Sequence, residues 1–399
     1  MKLIKKQSDR LKSFLPELLE IRRHLHAHPE LSGGEYQTAA LVARELRNYG
    51  WQVNEAIGRT GVIAEIGDCS GPVVGLRVDM DALPIEEQTG LEYSSLNQGI
   101  MHACGHDLHT CIGLGVAKLF SSHPSDALGI RILFQPAEEI AKGAGWMKLD
   151  GATRGLEALF GVHVFPELPV GKIGVKIGAL TAAAGELEIE IIGEAGHGAR
   201  PHQAVDAIWI ASRVVCGLQE AISRRLDALS PVVVTFGRIE GGKAFNVVAD
   251  RVKLIGTVRY LDPSLNKTLP DWIKGKVKKM ASAFDAEALV DYRSIAPPVN
   301  NDEKLTDLLS DAAISVLGKE NVLQLRKPSL GAEDFAEFLE DVPGTMFRLG
   351  VSGANGCAPL HHGKFSPDEK SLEVGILVLA KTLSQWIESH SILKVKEKE

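Results

Sequence analysis

Residues 72–80 read PVVGLRVDM, a mostly apolar run whose only charged residues are Arg77 and Asp79. Two later runs have the same character, IRILFQ at 130–135 and ALFGVHV at 158–164. Short runs that are apolar almost throughout are typical of strands buried on both faces of a parallel sheet. The three runs therefore predict the central strands of an α/β domain.

Helical patterns alternate with these strands. Residues 15–26 (LPELLEIRRHLH) and 37–50 (QTAALVARELRNYG) have helical periodicity, and residues 61–67 (GVIAEIG) add another strand. Helical patterns return at 303–318 and 371–389. Because strands alternate with helices, we predict a mostly parallel, doubly wound α/β fold.

The pattern changes between residues 181 and 292. Residues 185–195 (GELEIEIIGEA) alternate apolar and polar side chains, as in a sheet with one solvated face. The predicted elements of this stretch follow the order β-α-β-β-α-β, which fits a ferredoxin-like α+β unit. We therefore predict one discontinuous domain at 1–180 and 293–399, interrupted by an inserted domain at 181–292.

The composition is that of an ordinary globular protein. The chain has 399 residues, of which 45% are hydrophobic and 24% charged, and this excludes a disordered, collagenous or coiled-coil protein. A net charge of −7 argues against a nucleic-acid partner. No apolar run is long enough for a membrane span. Five sparse cysteines argue against a disulfide framework, so we expect a cytoplasmic protein.

The window MHACGHDLHT at 101–110 is the richest in chemistry. It places Cys104, His106 and two further histidines close together, next to Gly105, which allows a tight turn. Thiolate and imidazole together suit Zn, Mn, Fe or Co. The alternative is a helix start with a buried cysteine and surface histidines, but the density of ligand types favours a metal site.

Acidic side chains follow two of the predicted strands. Glu138 and Glu139 come just after the strand at 130–135, and Asp81 closely follows the strand at 72–80. The carboxyl end of a parallel strand is the expected place for an active site. One glutamate could bind metal while the other acts as a general base, although both could instead stabilise a helix N-terminus.

Further histidines stand at strand ends and in loops. His163 lies in the strand at 158–164, where a core histidine is the alternative, and His361 and His362 lie in the loop APLHHGKFSPDE. Counted together, the cysteine, histidines and carboxylates are the groups that a two-metal hydrolase needs.

The order of these motifs resembles that of the M20 metallopeptidases. Within this group the similarity is to the amidohydrolases that include auxin-amino-acid hydrolases, hippurate hydrolases, aminoacylase-like enzymes and N-acetyl-diaminopimelate deacetylase. The motifs that carry the resemblance span residues 20–370 and are RVDMDALP (77–84), MHACGHDLHT (101–110), QPAEE (135–139), GVHVFP (161–166), GHGARPH (196–202), LGAEDF (330–335) and LHHGKFSPDE (360–369).

The resemblance implies a role for each matched residue. Glu138 matches the general base, and Asp81 matches the aspartate that orients the site. In the wider family a metal-binding histidine stands where this chain has Asp79, so Asp79 as a ligand stays open. The implied metal ligands, with Cys104 as the bridging one, are Cys104, His106, Glu139, His163 and His362.

Four further residues match the family less specifically than the metal ligands do, and three of them lie in the predicted inserted domain. His197 resembles the histidine that stabilises the developing oxyanion, and Asn246 and Arg259 resemble groups that hold a substrate carboxylate. Gly331 corresponds to a backbone position beside the substrate. Arg259 could equally be a strand-surface residue paired with an acid.

The implied function is metal-dependent hydrolysis of N-acyl amino acids, with two divalent ions per subunit. The expected metal is Mn or Zn, with Co or Ni as alternatives. The resemblance also implies a homodimer that forms through the inserted domain, which would act as a lid. A dipeptidase or carboxypeptidase on the same site, or a non-catalytic binding protein, are the alternatives. Ile140 and Lys142 replace glycine-type positions of the relatives, which leaves the loop shape and acyl-group preference open.

Overall fold

The computed structural model describes residues 2–124 and 127–396. Two compact units are present. Thr181–Val299 and Pro328–Glu333 form the smaller one, here called the inserted unit, and the remaining described residues form the larger unit.

The larger unit begins with two helices, and all strands that precede the inserted unit belong to it. Before the chain enters the inserted unit at Thr181, the elements of the larger unit are α1 (Lys2–Ala27), α2 (Tyr36–Asn48), β1 (Gln52–Ile57), β2 (Gly61–Ile66), β3 (Asp68–Asp79), α3 (His106–Leu119), β4 (Leu128–Gln135), α4 (Gly143–Leu149), β5 (Leu156–Pro169), β6 (Ile173–Val175) and β7 (Gly178–Ala179).

The inserted unit follows, and the chain then returns to the larger unit. The inserted elements are β8 (Ala183–Ile192), β9 (Gly196–His197), α5 (Ala207–Arg225), β10 (Val232–Gly241), β11 (Val247–Val248), β12 (Arg251–Tyr260), α6 (Leu265–Ser282) and β13 (Glu287–Ala296). The returning elements are β14 (Asn300–Asn301), α7 (Glu303–Leu317), β15 (Val322–Gln324), α8 (Phe335–Phe338), β16 (Gly344–Ser352) and α9 (Ser371–Lys396).

An eight-stranded sheet in the order β1-β2-β4-β3-β5-β16-β6-β15 forms the larger unit. Its four central strands, β4, β3, β5 and β16, pair in parallel, while β1, β2 and β6 add antiparallel pairs. Leu76, Phe134 and Phe160 on the central strands are fully buried, as apolar runs of this kind predict. The prediction of a mixed α/β fold with a large, mostly parallel sheet is confirmed.

The sheet register brings three chemically active segments to one level. Asp79 at the end of β3 pairs with Gln135 at the end of β4. On the other side of β3, Arg77 pairs with Gly161, which places the following residues of β5, including His163, beside the end of β3. The loops that leave β3 and β4 therefore start next to His163.

An antiparallel sheet in the order β10-β12-β8-β13 forms the inserted unit, with connections through α5 and α6. Leu187 and Ile189 of β8 are buried in the core, whereas Glu190 on the other face forms an ion pair with Arg251 (2.6 Å). This is the predicted β-α-β-β-α-β ferredoxin-like order.

Among the residues that the structure describes, no helix has both the length and the apolar character needed to cross a bilayer. A cytoplasmic location stays a prediction.

Candidate metal centre

The loop before α3 brings a thiol and an imidazole to the level of β5. Gly105 has φ +78°, and a Cβ there would lie 2.8 Å from a methyl group of Val164. Glycine is therefore required at this close approach. Both neighbours are buried, and the Cys104 Sγ lies 3.6 Å from the His163 Nε2.

Three groups of potential ligand atoms overlap at this place. Within each group all ligand atoms lie within 4.8 Å of one another. The groups are Cys104–His106–His163, Cys104–Glu139–His361 and His106–Glu138–Glu139. Cys104 belongs to two of them.

Two buried atoms here lack hydrogen-bond partners. The His106 Nε2 and the Glu139 Oε1 are both buried, and neither has a partner in the part of the chain that the structure describes. They lie 3.9 Å apart, too far for a hydrogen bond but within the span of one ion bonded to both. Orphaned buried acceptors of this kind fit a bound metal ion.

The other nitrogen of each histidine is fixed. The His106 Nδ1 lies 3.1 Å from the Asp81 Oδ1, and the His163 Nδ1 donates to the Val164 carbonyl oxygen at 2.8 Å. Partners of this kind leave Nε2 as the ligand atom. Burial, with the positive charge of Arg348, lowers the pKa of His163 well below its ordinary value, so its Nε2 is unprotonated.

Asp81, which the motif predicts to orient the site, is hydrogen-bonded at both carboxylate oxygens. Its Oδ2 accepts hydrogen bonds from the Ser32 hydroxyl (2.6 Å) and from the backbone N–H of Glu139 (3.0 Å). Burial alone would raise its pKa, but the hydrogen bonds to His106, to Ser32 and to the Glu139 N–H hold the pKa below its ordinary value. Asp81 thus connects two of the ligand-bearing segments as an ionised carboxylate.

Asp79 and His109 are hydrogen-bonded to each other. The His109 Nδ1 lies 2.6 Å from the Asp79 Oδ1, and the His109 Nε2 accepts a hydrogen bond from the Val164 N–H (2.9 Å). The Asp79 Oδ2 accepts from Arg77 at 2.7 Å. These contacts favour a structural role for Asp79 over a role as a metal ligand, although Asp79 also forms a group of potential ligands with His106 and His109.

The segment 136–143, here called the glutamate loop, carries Glu138 and Glu139. Ala137 (φ +52°) and Ala141 (φ +49°) both adopt the left-handed conformation, which disfavours residues with a Cβ. At its end, a Cβ on Gly143 would lie 1.6 Å from the Pro136 carbonyl oxygen. The loop is therefore closed tightly on itself.

A buried carboxylate holds both ends of this loop. Asp334 accepts hydrogen bonds from the Gln135 side chain (2.7 Å) and from the Ala144 N–H (3.1 Å). It also forms an ion pair with Arg77 (3.1 Å), which in turn binds Asp79. This buried network joins the ends of β3 and β4 to the start of α4.

His361, not His362, approaches the ligand cluster. The His361 Nε2 lies 3.4 Å from the Glu139 Oε2, and its φ of +61° turns the backbone at this point. Hydrogen bonds to Cys104 and Glu139 raise the pKa of His361 to about 10, although partial burial opposes the shift. The adjacent His362 is exposed, and its Nδ1 accepts a local hydrogen bond from the Lys364 N–H.

Sequence reasoning missed His361 because two neighbouring histidines offer the same chemistry. It also missed Glu35, whose partner in the glutamate loop lies far away along the chain. Asp107, next to His106 in the chain, contacts residues outside the ligand groups: its Oδ2 lies 2.8 Å from the His26 Nδ1 and 2.9 Å from the Arg22 Nε.

The predicted residues of the inserted unit lie mainly at its surface. His197 on β9 pairs with Val247 on β11, next to Asn246, so the structure places His197 and Asn246 on neighbouring segments. Arg259 lies on β12, where its Nε donates to the Thr257 hydroxyl at 3.2 Å. Gly331 belongs to the segment 328–333.

Comparison with known proteins gives consistent matches along the whole chain. The model of peptidase family M20/M25/M40 matches residues 75–385. A probable hydrolase of Synechocystis is 50% identical over 95% of this chain and 98% of its own length. The N-acetyl-L-cysteine deacetylase of Bacillus subtilis is 39% identical over 96% and 91%.

A solved structure agrees with these matches. The YxeP protein of Bacillus subtilis, described as a dinuclear metal-binding peptidase of family M20, superposes with a TM-score of 0.81 at 35% identity. The match covers 94% of this chain and 99% of that one. With the shared fold and a cluster of potential metal ligands on the same chain, the protein belongs to peptidase family M20/M25/M40 and is a hydrolase that acts on amide bonds.

Proposed function

We propose that this chain hydrolyses N-acyl amino acids to a free amino acid and a carboxylic acid, with two divalent metal ions bound in the larger unit. The observation that carries the proposal is the sharing of Cys104 between two ligand groups, one with His106 and His163 and the other with Glu139 and His361. A thiolate common to two groups is what a bridged pair of ions requires.

The proposed ligand set replaces one predicted residue. His361 takes the place of His362, since only His361 belongs to a group with Cys104 and Glu139 among the described residues. Thiolate, imidazole and carboxylate together favour Zn or Mn, with Co or Ni as alternatives. When bound, such ions lower the pKa of water and polarise the amide carbonyl.

Glu138 is proposed as the general base. It is buried, and it shares a group with His106 and Glu139. In this role its carboxylate takes a proton from the attacking water and later gives it to the leaving amine. Asp81 contributes by holding the Nδ1 side of His106, which keeps the Nε2 side directed to the ligand cluster.

The inserted unit is proposed to contact the substrate. His197 would donate a hydrogen bond to the developing oxyanion, while Asn246 and Arg259 would bind the free carboxylate of the amino acid. Gly331 would supply a backbone contact. The placement of His197 beside Asn246 on paired segments supports their acting together.

The inserted unit is also proposed to form a homodimer. Strand β10 lies at the edge of its sheet, and Val233 and Ile239 on this strand are exposed. An unpaired edge with exposed apolar side chains favours pairing with another strand. Light scattering of the purified protein would measure the mass in solution; a monomer would exclude this part of the proposal.

An N-acyl substrate is favoured by the name of a relative, an N-acetyl-L-cysteine deacetylase that is 39% identical to this chain. The test is to measure metal content and then the hydrolysis of N-acetyl, N-benzoyl and indoleacetyl amino acids and of dipeptides. Chelator-sensitive release of an amino acid from acylated substrates would support the proposal. Hydrolysis of dipeptides alone would make the chain a dipeptidase instead.

A substitution separates an enzyme from a binding protein. Glu138→Gln should reduce kcat by about 10²–10⁴-fold while the metal content stays unchanged. Glu157→Gln, at an exposed glutamate of β5 in the same unit, is the matched control and should leave kcat unchanged. Equal activity of both variants would show that Glu138 is not the base.

A further inference from the structure

Glu35 is a buried carboxylate that has no place in the ligand set. It lies directly before α2, and its side chain does not cap that helix. Its Oε1 accepts hydrogen bonds from the Gly33 N–H (2.8 Å) and from the Ala137 N–H (2.9 Å). Its Oε2 accepts from the Thr60 hydroxyl (2.5 Å). The carboxylate thus ties the start of α2 and the loop before β2 to the glutamate loop.

The hydrogen bond from Ala137 to Glu35 is made at a residue with a strained backbone conformation. Ala137 is in the left-handed conformation and directly precedes Glu138. An alanine relaxes readily from this conformation to the right-handed region, and such a rotation would turn the Ala137–Glu138 peptide and move Glu138. A hydrogen bond to the Ala137 N–H opposes that rotation.

Each anchor of the glutamate loop holds a different point. Asp81 binds the Glu139 N–H, and Asp334 binds Gln135 and the Ala144 N–H at the two ends. Glu35 holds the Pro136–Ala137 peptide at its N–H, whereas the Ala137 carbonyl oxygen accepts hydrogen bonds from the N–H groups of Lys142 and Gly143. The loss of Glu35 would release the Ala137 N–H while Glu139 and the Ala137 carbonyl oxygen stay bound.

We infer that Glu35 is a positioning residue for Glu138, which it places by fixing the strained Ala137 peptide. The effect on turnover rests on the proposed function, whereas the fixing of Ala137 does not. Glu35 does not need its charge for this task. A glutamine could accept both backbone bonds at its oxygen and donate to the Thr60 hydroxyl with its amide group.

The first experiment compares three variants. Glu35→Ala should reduce kcat by about 10²-fold with KM and metal content close to those of the wild type, because the base is misplaced. Glu35→Gln should restore most of kcat. Thr60→Val removes the bond at Oε2 but keeps the bond to Ala137, so it should lower Tm while kcat stays near the wild-type value.

A purely structural role predicts a different result. In that case kcat would fall in proportion to the loss of Tm in Glu35→Ala and Thr60→Val alike, and this outcome would overturn the inference. If Glu35→Ala does not fold, Glu35→Asp serves as the second variant. Its shorter side chain withdraws from the Ala137 N–H, so it should show the same selective loss of kcat.

The second experiment is a double-mutant cycle with Ala137→Gly, because glycine adopts the left-handed conformation without strain. In the Ala137→Gly background, Glu35→Ala should lose less Tm and less kcat than in the wild type. Independent effects in Tm would overturn the inference. The Tm cycle is measured without metal or substrate, so it remains decisive even if the wild type hydrolyses no acyl amino acid and the proposed function fails.

Discussion

The residues proposed for the metal centre and those proposed for substrate contact are held in opposite ways. In the larger unit, Asp81 is buried and binds three partners, and His163 has its second nitrogen fixed by the backbone. In the inserted unit, His197 is exposed and its Nδ1 accepts a bond from Ala199, two residues away. Long-range buried contacts fix ligand geometry, whereas local contacts leave a side chain free to adapt to a substrate.

The largest expected effect separates two neighbours in sequence. His361→Ala should weaken metal binding by more than the roughly 100-fold that is typical of losing an outer partner, since it removes a ligand. His362→Ala is the matched control and should bind metal like the wild type. Titration of the apo protein with Zn or Mn, followed by hydrolysis assays, measures both. Equal weakening by the two substitutions would contradict the assignment of His361.

The next effect tests the inserted unit. His197→Ala should lower kcat by about 10²–10³-fold, the usual loss for one oxyanion donor, with metal content unchanged. His202→Ala, at another exposed histidine of this unit, is the control and should leave both kcat and metal content unchanged. If His197→Ala released metal, the distinction between the two regions would be wrong.

A smaller effect tests the buried support of the ligands. Asp81→Asn should weaken metal affinity by about 10–100-fold, because the amide holds the Nδ1–H of His106 less strongly. Asp302→Asn at the N-cap of α7 is the control, since asparagine caps a helix equally well. Unchanged affinity in Asp81→Asn would show that His106 is oriented by other contacts.

The smallest effect concerns the thermal stability of the larger unit. Burial disfavours a charge on His26, but the hydrogen bonds to Asp107 and Glu87 and the charge of Asp107 raise the pKa of His26 above its ordinary value of 6.5. The stabilisation from the protonated ring is therefore complete below pH 6.5 and is lost as the pH rises through the higher folded pKa.

The variant His26→Gln removes this dependence. Its deficit in Tm relative to the wild type should be largest below pH 6.5 and should shrink as the pH rises through the raised folded pKa of His26. Thermal unfolding across this range measures the difference. A deficit that grows with pH would mean that the neutral ring is the stabilising form.

Much of the fold follows from strand character. The apolar runs at β3, β4 and β5 predict the buried centre of the sheet because only strands covered on both faces need such residues. The antiparallel pairing of β1 and β2 was not foreseen. Direction of pairing depends on how a short connection turns, and periodicity does not report this.

The candidate site was predictable in composition but not in detail. Cys104 and His106 stand out because ligand types crowd around a glycine. Neighbouring His361 and His362 differ only in backbone conformation, which the sequence does not display. Glu35 has the position of a helix cap, so its burial against Ala137 becomes visible only in three dimensions.

The division of the larger unit by the inserted unit has a consequence for biosynthesis. Strand β5 pairs in parallel with β16, which the ribosome makes only after all of Thr181–Val299. Until then the edge of β5 that faces away from β3 has no partner, and an exposed strand edge of this kind is prone to aggregation. His361, one of the proposed ligands, is synthesised later still, so the proposed ligand cluster is complete only after the carboxyl-terminal segment has left the ribosome, and metal binding there would be a late step of biosynthesis.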